Sequence, residues 1–283
     1  MKIKVNDDFF FFFDAIKINR TLDSIASSFS FLTYFDPDNE KHKVVCKPLS
    51  YPKVEIYTNE EKLRLTGVIV TQSFVAKSTP ELVKISGYST SGDLEDVSIP
   101  YTSYPLESIR RSLKDITEKL INVFGLKLIV DKSVVNATNL IYEKSVAEPG
   151  ESIKSYVSKL TAQRNVVLSH DEQGNVLMFQ PNVNDQPKYF FEATNDVQIT
   201  LDVNGQNLFS EVSVIRQPSI SSTNVSPVDT VHNPMVLRKR TKVKVLSSGT
   251  VTDTRNAANY EFARQLQSIS IGVMIPKIID LSP

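Results

Sequence analysis

The first hundred residues place apolar side chains at alternate positions, a pattern that favours β-strands over helices. Val54 and Ile56 stand two residues apart, as do Val68 and Val70 in a second β-branched stretch, and in a strand such spacing puts side chains on the same face of the sheet. Five phenylalanines occupy positions 9–13. This run is too short to cross a membrane and is typical of a strand buried on both faces. We predict a β-rich first unit with the phenylalanine run in its core or at an interface.

From Pro105 onward the apolar residues recur every three or four positions, which is the spacing of an amphipathic helix. The apolar positions are Leu106, Ile109, Leu113, Ile116, Leu120 and Val123. Gly125 follows as a helix stop, and the apolar stretch at 126–130 predicts a strand. A second helix is expected to open between Pro149 and Ser152, and a β-hairpin is expected to turn at Gly174.

Strand patterns return after Pro181, at 197–203 and 211–216. Residues 217–234 are rich in Ser, Asn, Thr and Pro and predict an exposed loop. An alternating strand follows at 236–246, and then a short helix at 256–267. This order predicts an α+β fold in which two β units flank an inserted helix–strand–helix–hairpin domain. The predicted domains are 1–100, 101–195 and 196–283.

Composition excludes several classes of function. Lys and Arg number 32, as do Asp and Glu, so the formal net charge is zero and bulk attraction to nucleic acid or an anionic membrane is not expected. The lone Cys46 cannot form an internal disulfide, and the three histidines lie too far apart for a zinc-binding helix. Asp7 and Asp8 stand where a signal peptide needs apolar residues. We expect no cofactor, no metal and no membrane anchor, with assembly in a cytoplasm.

Two patterns invite comparison with catalytic sites. The glycines at 87 and 92 enclose two serines, but their spacing is one residue too long for the nucleophile elbow of a serine hydrolase. His170 precedes Asp171 and Glu172 on the approach to the predicted hairpin turn, where polar residues are ordinary. No glycine pattern for binding phosphates is present. We therefore predict that the protein is not an enzyme.

One stretch of the chain is locally basic. If 236–246 is a strand, one face carries four cations, namely Arg238, Arg240, Lys242 and Lys244, and the opposite face carries Thr241 and Val243. A solvated strand face is the simpler interpretation. The alternative is a stripe that meets an acidic partner or a passing polyanion, because such contacts need only clustered Lys and Arg.

Five segments of the chain, taken in order, carry a family resemblance. They are Leu65-Thr66-Gly67-Val68-Ile69, the stretch Val83-Lys84-Ile85-Ser86-Gly87-Tyr88 with Asp93-Leu94-Glu95-Asp96, the end of the first helix at Phe124-Gly125-Leu126, the helix and hairpin from Glu148-Pro149-Gly150 to Gly174-Asn175-Val176, and Asn204-Gly205-Gln206-Asn207-Leu208. In this order they resemble motifs of the baseplate hub proteins of contractile phage tails, of the Mu-like and P2-like late control kinds. Tyr88 replaces the arginine usual in that family.

The resemblance covers most of residues 5–267 and implies a homotrimer in which each protomer contributes two related β-barrels. Three such pairs would form a pseudo-six-fold ring that joins the tail tube protein to the three-fold spike protein, among other baseplate proteins of the virion. Family members continue into further strands after the helix that matches 255–267, so the second barrel is expected to be incomplete at its C-terminus.

The resemblance also suggests where subunits meet. The predicted apolar subunit contact consists of Phe9, Phe10, Phe11, Phe12 and Phe13, with the loop 217–234 as a further contributor. The basic stripe is predicted to lie at an interface or to face the lumen, without sequence-specific binding of nucleic acid. Two alternatives stay open: a hub of a tail-like bacteriocin or injection system that also degrades cell wall, and a receptor-binding β module.

Overall fold

A computed structural model of the chain describes residues 1–75, 82–182, 186–216, 228–246 and 251–275. The first lobe contains seven strands: β1 (Lys2–Val5), β2 (Asp8–Phe10), β3 (Phe13–Asn19), β4 (Ser28–Tyr34), β5 (Lys53–Tyr57), β6 (Leu63–Val75) and β7 (Leu82–Ser89). Helix α1 (Glu40–Cys46) lies between β4 and β5. The strands form one sheet in the order β2-β1-β5-β6-β7-β4-β3, with antiparallel pairs throughout.

The seven-stranded sheet curls into a half-barrel. Strands β2 and β3 stand at its opposite edges, yet only Phe11 and Phe12 separate them in the chain. Because one residue spans at most about 3.6 Å, the two edges must lie close together. The Thr33 hydroxyl on β4 donates a hydrogen bond to the Phe12 carbonyl oxygen, which fastens this linker to the sheet.

Alternating burial along the strands confirms the β-rich prediction for the first lobe. Side chains such as Ile3, Ile56 and Ile85 are fully buried. Position 67 requires glycine, because a Cβ there would lie 2.1 Å from the Tyr88 carbonyl oxygen of the neighbouring strand. Any side chain at Gly67 would push β6 and β7 apart.

The middle lobe combines short strands with helices. Its elements are α2 (Asp93–Asp96), β8 (Glu107–Ser112), α3 (Leu113–Ile121), β9 (Leu128–Val130), α4 (Val135–Asn139), β10 (Ile141–Val146), α5 (Ile153–Gln163), β11 (Val167–His170) and β12 (Val176–Phe179). Strand β8 pairs with β10, and β11, β12 and β9 form a three-stranded sheet. The predicted second helix and the predicted hairpin are confirmed as α5 and β11–β12, with Gly174 in the turn at a φ of 82°.

The prediction of one continuous helix from Pro105 to Val123 is wrong in its first third. Residues 107–112 form β8, which pairs with β10 from Glu107 to Ser112, and the helix begins only at Leu113. Ser112 caps it: its hydroxyl accepts a hydrogen bond from the Asp115 N–H at 3.1 Å, and the Asp115 carboxylate accepts one from the Ser112 N–H at 3.3 Å. This capping box stops the helix from extending backwards.

Within its described residues, the last lobe holds two small sheets and one α-helix. Its elements are β13 (Gln198–Val203), β14 (Glu211–Arg216), β15 (Val228–His232), β16 (Thr241–Leu246), α6 (Val251–Arg264) and β17 (Ile269–Met274). The sheets are β13–β17 and β15-β14-β16. Residues 228–232 form a strand, so the predicted loop 217–234 is wrong there, while 217–227 lie outside the described residues. The helix predicted at 256–267 begins earlier, at Val251.

Buried polar contacts join the three lobes. His170 Nε2 lies 2.8 Å from the Ser27 hydroxyl, between the middle and first lobes. The Arg164 guanidinium at the end of α5 lies 3.0 Å from the Asp253 carboxylate of α6, and both side chains are almost fully buried. Arg164 also stacks 4.4 Å above the Tyr142 ring centroid. The middle lobe is thus joined to the first lobe through His170 and to the last lobe through Arg164, which also packs on β10 within the middle lobe.

The described residues form a mixed fold in which strands outnumber helices, and this confirms the prediction that the chain combines strands with helices. In these ranges no helix is both long and apolar enough to span a membrane.

Candidate assembly surfaces

The phenylalanine run divides between the core and the surface. Phe10 is buried, whereas Phe9, Phe11 and Phe12 are 42%, 67% and 44% exposed. We call these three exposed residues the aromatic edge. The prediction of a strand buried on both faces is wrong here, because β2 ends at Phe10 and the chain turns to the other sheet edge before β3 begins at Phe13.

Helix α1 packs against the aromatic edge through His42. The Phe12 ring meets the His42 ring edge-on, with centroids 4.5 Å apart, and the Phe9 and Phe11 rings stack at 5.8 Å. His42 is itself buried and its Nδ1 accepts a hydrogen bond from the Asp36 N–H at 3.0 Å. The edge is thus an ordered apolar projection, of the kind that anchors protein interfaces.

The basic stripe turns towards its own lobe. Lys242 and Lys244 on β16 both bind the Glu261 carboxylate of α6, at 2.8 Å and 2.5 Å. Burial would raise the pKa of Glu261, but hydrogen bonds from the two lysines hold that pKa below its ordinary value. The carboxylate is therefore charged at neutral pH and holds β16 against α6.

The other two members of the stripe behave differently from each other. The Arg240 guanidinium donates hydrogen bonds to the carbonyl oxygens of Leu208 at 2.8 Å and Gln206 at 2.6 Å. Arg238 precedes β16 and is exposed. The structure thus brings Lys242 and Lys244 together on one carboxylate and leaves Arg238 apart from them.

The opposite face of the same sheet is apolar and exposed. Val243 and Val245 on β16 are 60% and 57% exposed, and Val228 on β15 is 53% exposed. Ile215 on β14 lies directly between Val245 and Val228 in the strand register. We call these four residues the valine face. Helix α6 covers only the other side of the sheet, where Val214 packs against Ala257 and Ala258.

The β13–β17 pair, which we call the ribbon, is also amphipathic. Its cross-strand pairs alternate between apolar and polar: Ile199 with Val273, Leu201 with Ile271, and Val203 with Ile269 form one face, whereas Thr200 with Gly272 and Asp202 with Ser270 form the other. Every residue of β13 is exposed. A two-stranded ribbon is marginally stable in water by itself, so we expect another surface to cover its apolar face.

The alternation that would have revealed the valine face and the ribbon is visible in the sequence. Apolar residues occupy every second position at 199–203, at 243–245 and at 269–273. Their pattern identifies a face that is apolar, but not whether the same chain covers that face.

Of the residues considered for catalysis, His170 lies in the interior. It and its partner Ser27 are each only 2% exposed, and burial together with the Arg20 cation lowers the pKa of His170 to about 4. Arg20 also binds Glu172 at 2.7 Å. The cluster therefore joins the first and middle lobes. In the part of the chain that the structure describes, no group of His, Cys, Asp or Glu side chains could hold a metal ion.

No protein-family model and no curated protein matches this sequence, but solved structures do. The 43 kDa tail protein of prophage MuSo2 from Shewanella oneidensis superposes with a TM-score of 0.75 at 18% identity, over 95% of this chain and 80% of that one. The chain has the fold of this tail protein. The tail protein from Neisseria meningitidis MC58 gives 0.74 at 17% identity, over 95% of this chain and 78% of that one.

A more distant likeness involves the prophage tail protein gp18 from Listeria monocytogenes EGD-e. It superposes with a TM-score of 0.54 at 14% identity, over 87% of this chain and 72% of that one. The fold shared with these tail proteins thus extends over all three lobes rather than over one of them.

Proposed function

We propose that the protein is a structural component of a phage tail, namely a baseplate hub that acts as a homotrimeric adaptor between a six-fold tail tube and a three-fold spike. The observation that carries the proposal is the shared fold, which extends over 95% of the chain in two prophage tail proteins. The order of sequence motifs described above supports the hub in particular.

The exposed apolar surfaces support a role in assembly. A soluble monomer rarely exposes large contiguous apolar patches, yet the aromatic edge, the valine face and the ribbon all project side chains such as Phe11, Leu201 and Val243 that are at least 60% exposed. In the proposal these surfaces are covered by neighbouring copies of the chain and by tube, spike and other baseplate proteins.

The proposal includes two related β-barrels, one in the first lobe and one in the last. The curl of the seven-stranded sheet supports the first. In the last lobe, the ribbon and the sheet β15-β14-β16 are separate. In the proposal, contacts between protomers complete the second barrel. Such a protein works in the virion by binding through complementary shapes, and we propose no catalytic step for it.

Sedimentation velocity of the intact chain tests the trimer. We expect a species of three times 31.8 kDa, and we expect Leu201→Lys to shift it towards monomer, because the new ammonium group would have to be buried in the contact. Thr200→Lys is the matched control, because Thr200 lies next in β13 on the polar face of the ribbon. A monomer at every concentration, or equal effects of both variants, contradicts this assembly.

A further inference from the structure

A basic cleft lies along α6 of the last lobe and reaches α5 of the middle lobe. It consists of two hollows of about 460 Å³ and 360 Å³ that share Arg264. One is lined by polar side chains of the last lobe, including Asn207, Lys242 and Gln265. The other is lined by Ser155 and Ser158 together with Lys154, Lys159, Lys244 and Tyr260.

The two helices that form the cleft run antiparallel. The end of α5 meets the beginning of α6 through the buried pair Arg164 and Asp253, while Ser152 at the start of α5 lines the same hollow as Arg264 at the end of α6. The buried pair fixes one end of the helix contact, and the cleft opens at the other end. Its walls therefore belong to rigid elements.

The cations of the cleft exceed the carboxylates available to them. Lys242 and Lys244 share one carboxylate, that of Glu261. Arg264 is exposed, and no carboxylate lies within ion-pair distance of it among the described residues. The positive charge is local, since the whole chain is formally neutral.

The remaining cations are paired, and the pairing shows how the cleft differs from an ordinary charged surface. Lys154 binds Glu95 at 2.5 Å, and Lys159 binds Glu151 at 2.8 Å. Both carboxylates lie outside the lining of the two hollows, in which Glu261 is the acidic residue. An anionic group that entered would meet ammonium, guanidinium and hydroxyl donors, and the Glu261 carboxylate in the lining is already paired with Lys242 and Lys244.

We infer that this cleft binds an acidic segment of a neighbouring protein, whose Asp or Glu carboxylates pair with Arg264 and with the lysines of β16. Arginine binds carboxylates with two parallel hydrogen bonds, and the serine hydroxyls supply further donors. A nucleic acid fits less well, because single strands are held by a continuous basic groove with exposed aromatic rings for base stacking, and the aromatic side chains of these hollows, Phe209 and Tyr260, are both partly buried.

This inference goes beyond the proposed function, because the cleft shares no residue with the aromatic edge, the valine face or the ribbon. The two ideas can therefore fail independently. Binding to the cleft is measured on the isolated chain, whatever its oligomeric state.

The test measures the fluorescence anisotropy of a labelled hexaglutamate peptide as the intact protein is titrated at low salt. We expect saturable binding that Arg264→Gln weakens about fivefold, the effect of losing one exposed ion pair. Arg255→Gln is the matched control, because Arg255 is an exposed arginine on the same helix outside both hollows, 3.8 Å from Asp229. The control should bind like the unmodified chain.

A second variant guards against an effect of folding. Ser158→Glu places a carboxylate in the cleft, because Ser158 of α5 lines the second hollow. This variant should weaken binding of the peptide to a similar extent, while the urea unfolding midpoint of the protein stays unchanged. Absence of peptide binding, equal weakening by Arg264→Gln and Arg255→Gln, or tighter binding of a hexathymidylate than of the peptide would each overturn the inference.

Discussion

The first and last lobes are both built from strands, but they bury their apolar residues to very different extents. The seven-stranded sheet encloses thirteen buried apolar residues, Phe29, Ile56 and Ile85 among them. The corresponding cluster of the last lobe contains four, namely Val214, Leu246, Ala257 and Ala258. The apolar residues of the last lobe are plentiful, but within the described ranges many of them lie on the valine face and the ribbon.

This difference indicates where each lobe obtains its stability. The first lobe curls its sheet so that the edges come together, and it needs no other chain to cover its core. Among the described residues of the last lobe, α6 covers one side of one sheet, and the proposed function assigns the valine face and the ribbon to contacts between molecules. Mutation of buried residues should therefore destabilise the first lobe more than the last, whereas assembly should stabilise the last lobe more than the first.

The largest effect on stability should come from the core of the first lobe. Ile85 is fully buried, so Ile85→Ala should lower the free energy of unfolding by about 3 kcal/mol through the cavity it leaves. Val243 in the last lobe is 60% exposed, and Val243→Ala should change the stability of the monomer by less than about 0.5 kcal/mol. Urea unfolding of both variants measures the contrast, and similar losses would contradict it.

Acid should loosen the contact between the first and middle lobes. Because the pKa of His170 falls from 6.5 to about 4 on folding, the unfolded chain takes up a proton in this range and the folded chain does not. The contribution of His170 is complete above about pH 6.5 and decreases by about 2 to 3 kcal/mol as the pH falls to 4.

His170→Asn isolates that dependence on pH. The asparagine does not titrate, so the variant should lose less stability than the unmodified chain between pH 7 and pH 4.5 in urea unfolding experiments. Parallel pH profiles for the two proteins would show that His170 is not the group responsible.

A smaller effect is expected at the attachment of α6. Glu261→Gln replaces a charge that accepts hydrogen bonds from both Lys242 and Lys244, and it should cost about 1 to 2 kcal/mol, since these lysines remain partly solvated. Thermal unfolding followed by circular dichroism measures the change. Lys114→Gln serves as the control, because its pair with Glu118 is long, at 4.0 Å, and exposed.

The smallest effect on the folded monomer is expected at the aromatic edge. Phe11 is 67% exposed, so Phe11→Ser should leave the free energy of unfolding within about 0.5 kcal/mol of its original value. If the edge is a subunit contact, the same variant should weaken self-association in sedimentation. A clear loss of monomer stability with unchanged association would assign Phe11 to the core instead.

Local patterns in the sequence predicted elements well where neighbouring residues decide the structure. The hairpin at Gly174 and helix α5 behind Ser152 are correct, because a turn and a cap are set by residues next to one another. The boundary at Ser112 could also have been predicted, since Ser112 and Asp115 have the spacing of a capping box. The helical spacing of Leu106 and Ile109 concealed it.

Contacts between distant residues explain what could not be predicted. Alternation correctly placed Lys242 and Lys244 on one face of a strand, but Glu261, seventeen or more positions away, determines that this face points inward. The burial of Phe10 and the exposure of Phe11 depend on a chain reversal between opposite sheet edges. A single sequence reports such pairings only weakly.

Hydrogen–deuterium exchange at several protein concentrations tests most directly whether the last lobe depends on assembly. Amides of the ribbon strands β13 and β17 should exchange rapidly in dilute solution and slowly at concentrations where the chain self-associates, whereas β6 and β7 should be protected throughout. Protection of the ribbon in dilute solution equal to that of β6 and β7, or exchange of the ribbon that does not change with concentration, would contradict this account.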